Sequence, residues 1–372
     1  MRTDWRLIGL LFLAGLFAAA QFAKIALTLQ DLGAIYDGAA LPFAVSAVSV
    51  AGIVFGVTAG MIVAQFGPRN VLLSALLVAS ILSISQAFLP SFQLFMALRL
   101  VEGFSHLAIV VAAPTLMAAL SSPRDVSVSM GLWGTFFGVG FAGSAAVIPL
   151  LDGPSQVYVA HGAFGLALFA ALWSLLPRGA VRGHWQGDII ARHVAIYTNS
   201  RLLAPALGFL WHTIIFLGLL TFLPGVLGEW TGPLLPLLAL AGTFGAGWLA
   251  RWIAPKTVLL VGYTLTVAGL AIALIASASF QVWVVMAVFV AIGLVPGASF
   301  ANVPALNADP ADQARANGAI AQLGNIGTAA STPLFAAAVV FGFKGLAAVA
   351  IAVSLIGFAF VWFIHRKIAK SA

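Results

Sequence analysis

Three charged side chains stand inside long apolar runs of this sequence: Lys24, Arg99 and Glu102. A charge in hydrocarbon costs roughly 2.5–3.5 kcal/mol on insertion scales, so such residues face a cavity or one another. Arg99 and Glu102 share a helix face at i, i+3 spacing, and His106 continues that face one turn deeper. Gln21 precedes Lys24 by the same spacing on the first run. Helix rise puts Lys24 about 27 Å into its run, and Arg99 and Glu102 about 10–15 Å into a run entered from the opposite side. All three therefore fall at overlapping depth. Glu102 is a group that can take up and release a proton. Lys24 and Arg99 attract an anion, and the three together carry a net positive charge. The competing reading is a neutralising cluster that only locks two helices together.

Other polar residues in apolar runs extend the candidate set. His212 lies near the middle of the seventh run beside Trp211, placed to touch a solute or to bond a neighbouring helix. In the eleventh run Gln322 and Asn325 share a face, with Asn317 before them. Such amides bind a solute or join helices at about 1 kcal/mol each. Asn302 and Asn307 close the tenth run, where a gate or a helix cap is expected. The 28 Phe and 10 Trp serve mostly as lipid-facing or interfacial anchors, with some free to stack on a planar solute.

The same inventory excludes classes of chemistry. The chain has no cysteine, so disulfides, thiolate metal sites and thiol catalysis are out. It has no Gly-Lys-Ser/Thr phosphate loop, no His-Glu-x-x-His pair and no Gly-x-Ser-x-Gly elbow. Its six histidines lack metal-ligand spacing. No enzyme, cofactor or metal site is expected.

These residues need elements that hold them at depth in a bilayer. Of the 372 residues 62% are hydrophobic and 7% charged, against about 25% charged in a soluble domain. Lipid must be the solvent for most of such a chain. Apolar runs broken by charge, Pro or Gly predict twelve helical spans: 6–29, 41–66, 70–90, 92–121, 126–150, 157–177, 202–226, 233–253, 257–278, 280–306, 314–341 and 344–365. Each approaches the roughly 20 residues that a spanning helix needs. The first run is too long for a signal-peptide core and is read as a span. Apart from Lys24 and Arg99, every Lys and Arg except Lys344 falls on one side, which places both termini on the cytoplasmic side of a bacterial-type inner membrane. The net charge of +7 is thus a topology signal and not a nucleic-acid surface. The polar stretch 178–201 reads as a cytoplasmic linker, anchoring topology or touching anionic lipid.

The halves repeat. Gly60…Pro68-Arg69-Asn70-Val71-Leu72-Leu73 aligns with Gly247…Pro255-Lys256-Thr257-Val258-Leu259-Leu260, an offset of 187 residues. Pro123-Arg124-Asp125…Gly131 aligns with Pro310-Ala311-Asp312…Gly318 at the same offset. The expected fold is therefore an all-α integral membrane protein of two six-helix bundles, 1–177 and 202–372, in parallel orientation.

With these motifs the chain resembles the major facilitator superfamily over nearly its whole length. The family's loop signature, Gly-x-x-x-Asp-Arg-x-Gly-Arg-Arg, stands here as Gly60-Met-Ile-Val-Ala64-Gln65-Phe-Gly67-Pro68-Arg69. Arg99-x-x-Glu102-Gly103 resembles the family's fourth-span pattern, and Gly131-x-Trp133-Gly134 resembles cyanate-permease-like members. The resemblance implies gating by the loops that hold Gly60, Gly67, Arg69 and Arg124. It also implies a latch whose Asp is replaced by Ala64. It implies a secondary active transporter, working as a monomer by alternating access on a small solute with protons. The charge cluster points that reading to an organic anion, bound by Lys24, Arg99, His106, His212, Gln322, Asn325 and Gln21, with Glu102 as the proton-coupling group. Two alternatives stand beside it: an efflux pump for amphipathic compounds, and a receptor or assembly factor on the same fold.

Overall fold

The structure is a computed structural model that describes residues 2–36, 41, 43–178 and 189–371. Stretch 179–188 of the expected linker lies outside the described residues. The described chain is helical: α1 (Trp5–Ala26), α2 (Leu29–Ile35), α3 (Phe43–Phe66), α4 (Pro68–Ala87), α5 (Phe92–Ala119), α6 (Val126–Gly134), α7 (Phe136–Val147), α8 (Gly153–Leu175), α9 (Ile189–Thr198), α10 (Ser200–Leu227), α11 (Leu234–Leu249), α12 (Pro255–Ile275), α13 (Ala278–Leu306), α14 (Pro310–Val339) and α15 (Gly342–Lys370).

Local sequence explains where these helices start and stop. Asp4 caps α1, its carboxylate accepting from the backbone N–H of Arg6 and Leu7. Asn199 caps α10 in the same way. α4, α12 and α14 all begin on proline, which has no N–H to leave unpaired in a first turn. Gly67 separates α3 from α4 with a φ of 83°, a left-handed conformation that favours glycine.

Among the described residues ten helices are long and apolar enough to cross a membrane, and α6 with α7 supplies an eleventh if that bent pair is one span. Two departures from the expected spans have clear causes. The run 126–150 is bent by 47° between α6 and α7. At the break both the amide and the hydroxyl of Thr135 bond to the Leu132 carbonyl, the hydroxyl at 2.7 Å, which tightens the turn to an i to i−3 pattern. The expected span 314–341 corresponds to α14. Its 30 residues reach about 45 Å, yet Asn317, Gln322 and Asn325 leave it less apolar than the other long helices.

Short α2 and the linker helix α9 were not expected from hydropathy. α2 is held by Leu32, which is fully buried, and by the adjoining Tyr36, whose hydroxyl donates to the Pro90 carbonyl at 2.8 Å.

The chain divides into two compact units. The first contains α1 to α5, α7, α8 and the opening turns of α14, residues Pro310–Ala321. Within it α4 packs between α5 and α8, while α1 packs on α5, α7 and α8. The second contains α6, α9 to α13, the rest of α14 and α15. There α13 packs on α10, α11 and α12, and α6 lies on α11 and α13. Its apolar core includes Leu219, Leu223, Tyr263, Val285, Phe289 and Phe335. Large apolar side chains such as Phe88, Trp173, Ile275 and Phe363 are exposed, as helices solvated by lipid require.

Candidate functional site

Lys24 on α1 and Arg99 and Glu102 on α5 meet inside the first unit, all three buried. The Lys24 ammonium donates to Glu102 Oε1 at 2.7 Å. Arg99 Nη1 donates to Glu102 Oε2 at 2.5 Å, and Gln86 Nε2 on α4 donates to the same oxygen at 2.7 Å. Glu102 thus accepts three charge-assisted or polar bonds, the arrangement that lets a carboxylate persist away from water. Arg99 Nε donates to the Ala44 carbonyl of α3 at 3.0 Å, while among the described residues Arg99 Nη2 and Gln86 Oε1 have no partner.

A polar chain continues from Lys24 to α8. The ammonium donates to Ser83 Oγ at 3.0 Å, and Ser83 Oγ lies 3.0 Å from His161 Nδ1. His161 Nε2 faces the Phe17 carbonyl at 3.1 Å and its ring stacks on Phe17 with centroids 4.1 Å apart. Nε2 therefore carries a proton, since a carbonyl can only accept. Thr28 and Tyr158 close this end, their hydroxyls 3.4 Å apart.

His106 and Gln21 also meet. His106 Nδ1 lies 3.0 Å from Gln21 Oε1 and 3.1 Å from the Ala18 carbonyl, so it donates to two oxygens. Gln21 Nε2 has no partner among the described residues. Five of the residues singled out by sequence, Gln21, Lys24, Arg99, Glu102 and His106, thus fall in the same unit on α1 and α5. Gln86, Ser83 and His161 were missed. Ser80, Ser83 and Gln86 recur at every third position of α4, a polar stripe that could have been read from the sequence.

His212, Gln322 and Asn325 belong to the second unit. His212 is buried and stacks on Phe216 with centroids 5.4 Å apart. Gln322 Oε1 accepts from the Tyr197 hydroxyl at 2.7 Å. Asn317 lies in the first unit, where its Nδ2 donates to Thr115 Oγ1 at 3.1 Å. Asn302 Nδ2 is 3.0 Å from His365 Nε2, and Asn307 Nδ2 donates to the Arg201 and Val303 carbonyls, a capping arrangement.

The loop residues are placed in two ways. Arg69 donates to the Leu176 and Trp173 carbonyls at the end of α8, at 3.1 and 2.9 Å, and so caps that helix. Gly60 is a point of close approach: a Cβ there would sit 2.7 Å from the Ala314 carbonyl oxygen of α14 and 3.2 Å from Gly318 Cα. The second unit repeats this contact with the halves exchanged. A Cβ on Gly247 of α11 would sit 2.6 Å from the Ser127 carbonyl oxygen of α6, and one on Gly131 would sit 2.6 Å from Gly247 Cα. At the repeat offset Gly60 maps to Gly247, Ser127 to Ala314 and Gly131 to Gly318.

Ala64 maps to Arg251, and here the two contacts differ. Arg251 Nη2 bonds Asp125 Oδ1 at 2.6 Å, and its Nε bonds the Arg124 carbonyl at 3.2 Å. The exposed Arg124 thus offers this contact its backbone carbonyl. In the first unit, Asp312, the repeat mate of Asp125, pairs with Arg315 on its own helix at 2.6 Å. Reversing either charge of the Arg251–Asp125 pair is expected to lower thermal stability by about 1 kcal/mol, because both side chains keep some solvent. The double reversal, Arg251→Asp with Asp125→Arg, should recover most of that loss in a thermal-unfolding double-mutant cycle.

Long apolar helices that carry a buried ionisable cluster define a multi-pass membrane protein. The Major Facilitator Superfamily profile matches residues 7–252, and the chain belongs to that family of transporters. No curated protein matches the sequence. Among solved structures, the fold is similar to that of the E. coli fucose:proton symporter FucP, at 14% identity over 96% of this chain and 98% of that one, with a TM-score of 0.74. It is similar to the proton:xylose symporter XylE, at 14% identity over 96% and 95%, also with a TM-score of 0.74. The human organic anion transporter MFSD10 matches at 19% identity over 97% and 100%, with a TM-score of 0.75.

Proposed function

We propose that this transporter is a proton-coupled carrier of a small organic anion, working by alternating access in the cell inner membrane with both termini in the cytoplasm. The observation that carries the reading is the buried triad of two cations and one carboxylate, Lys24, Arg99 and Glu102. Protonating Glu102 removes the only negative charge of the triad and leaves both cations facing each other in a low-dielectric site. An organic anion restores the lost negative charge. Proton and anion therefore load together because each offsets the electrostatic cost of the other. The bias of Lys and Arg to one side of the spans supports the orientation. Gating is assigned to the glycine contacts Gly60–Gly318 and Gly131–Gly247, whose separation would open the packed helices.

Proteoliposomes with an imposed pH gradient, screened against a panel of organic acids, test this reading. Wild-type protein should accumulate at least one acid. Glu102→Gln, the isostere of the protonated group, should abolish that accumulation while retaining exchange of labelled for unlabelled acid at equal pH. Accumulation at the wild-type level in that variant would remove Glu102 from coupling.

A further inference from the structure

The second unit has a groove of about 420 Å³ between α10 and α15, closed at one end by the last turn of α9. It lies where α10 begins and α15 ends, since Ser200 and Lys367 both line it. On α10 the wall continues from Ser200 to Leu203 and Leu207, one helix face by spacing. On α15 it continues from Lys367 to Ile364 and Phe360, the same spacing read backwards. Both walls thus pass from polar to apolar over about 10 Å by helix rise. At the polar end the hydroxyls of Tyr197 and Thr198 are committed as donors to Gln322 Oε1 and the Val194 carbonyl. The Lys367 side chain is exposed, and among the described residues its ammonium bonds no acceptor. None of the described lining residues is acidic. Phe363, in the wall, and Trp362, beside it, are also exposed, and the Arg366 guanidinium lies 5.8 Å from the Trp362 ring centroid. A Trp beside basic residues at a span end marks the headgroup level of a bilayer. The groove therefore offers a cation at headgroup level with an apolar slot beneath it.

We propose that this groove binds an anionic glycerophospholipid, its phosphate on Lys367 and the upper part of one acyl chain between Leu207 and Phe360. The lipid site goes beyond the transport reading and does not depend on what is carried. A free phosphate would use only the polar end, whereas a lipid uses both. A zwitterionic headgroup would bring its own cation against Lys367; a headgroup with a net negative charge complements a lysine that has no acidic neighbour in the groove. The volume lies in the lower part of the roughly 300–1,000 Å³ range of ligand pockets, which seats part of one chain and leaves the second in the bilayer. On the orientation proposed above, this end meets the cytoplasmic leaflet, whose anionic headgroups are attracted to basic pockets between helices.

The test titrates the full chain, in neutral maltoside micelles, with phosphatidylglycerol or phosphatidylcholine and counts bound lipid by native mass spectrometry. The first phosphatidylglycerol should bind more tightly than phosphatidylcholine. Lys367→Gln should weaken it about fivefold, the share of one lysine near a headgroup. Leu207→Trp, which fills the apolar end, should weaken it at least as much. Lys370→Gln, one turn-length away on the same helix but outside the groove, and Lys344→Gln, at the far end of α15, should leave it unchanged. Lysophosphatidylglycerol, with one chain, should compete, and glycerol phosphate, with none, should not.

Equal weakening by Lys370→Gln and Lys367→Gln would overturn the site, because the attraction would then be diffuse surface charge. Phosphatidylcholine binding as tightly as phosphatidylglycerol would overturn the anionic preference. Displacement by glycerol phosphate would make a free anion the occupant and overturn the lipid. Thermal-unfolding midpoints of the variants in the same micelles identify any loss of fold. If Leu207→Trp does not fold, Lys367→Gln and the two soluble competitors still decide.

Discussion

Glu102→Leu is expected to destabilise the protein by about 3–5 kcal/mol, whereas Lys24→Met should leave stability nearly unchanged. The asymmetry follows from charge count. Removing Glu102 leaves Lys24 and Arg99 buried together with no counter-charge, and Gln86 loses its acceptor. Removing Lys24 leaves the Arg99–Glu102 pair, which is neutral, short and held by the Ala44 carbonyl and Gln86. Methionine fills the volume of the lysine stem without needing a partner. Thermal unfolding of the purified variants in one detergent measures both effects. A triad built only to join helices would lose stability on either change, because each removes a link between α1 and α5. A triad that keeps a surplus cation for an incoming anion loses transport, not stability, when Lys24 goes. Equal destabilisation by the two variants would therefore count against the anion site.

The central triad was legible in the sequence because charge in an apolar run has few physical explanations, and helix rise alone placed Lys24 level with Arg99 and Glu102. The duplicated loops were legible for a related reason: Pro and Gly at turn positions recur at one offset. Other partners were hidden. Serine and glutamine in an apolar run cost little enough to be common, so only the three-residue spacing of Ser80, Ser83 and Gln86 marks them. His161 looked like one scattered histidine among six. Arg251 read as a topology charge and Asp125 as part of the repeated loop, and nothing local announces that they meet across 126 residues of chain. The bend at Thr135 was hidden too, since hydropathy is continuous from Val126 to Leu150 and the break comes from one residue's bonding to Leu132.

Gly131→Leu is expected to disfavour the packed arrangement of α6 on α11 by about 2–3 kcal/mol, the usual cost of overpacking, and so lower its population about thirtyfold or more against a state in which the helices part. The contact leaves no slack. A Cβ on Gly131 would stand 2.6 Å from Gly247 Cα and 3.2 Å from the Phe244 carbonyl oxygen, so the obstacle is backbone and no rotamer change relieves it. Nearby Ser127 is buried, and the natural chain has no cysteine, so Ser127→Cys gives a single reporter thiol. In the otherwise unchanged protein that thiol should react slowly with a membrane-impermeant maleimide. Adding Gly131→Leu should speed labelling by the same factor as the population shift. The repeat makes a sharper demand. Gly318→Leu, its mate on α14, would press on Gly60 and the Gly56 carbonyl in the same way, and should expose a reporter near that contact. There the Arg251–Asp125 pair has no counterpart, because Ala64 stands where Arg251 does. The first-unit contact rests on glycine packing without that cross-link, so Gly318→Leu should open its contact at least as far as Gly131→Leu opens the other. A Gly318→Leu variant that labels more slowly than Gly131→Leu would show that the ion pair does not set the difference between the two contacts.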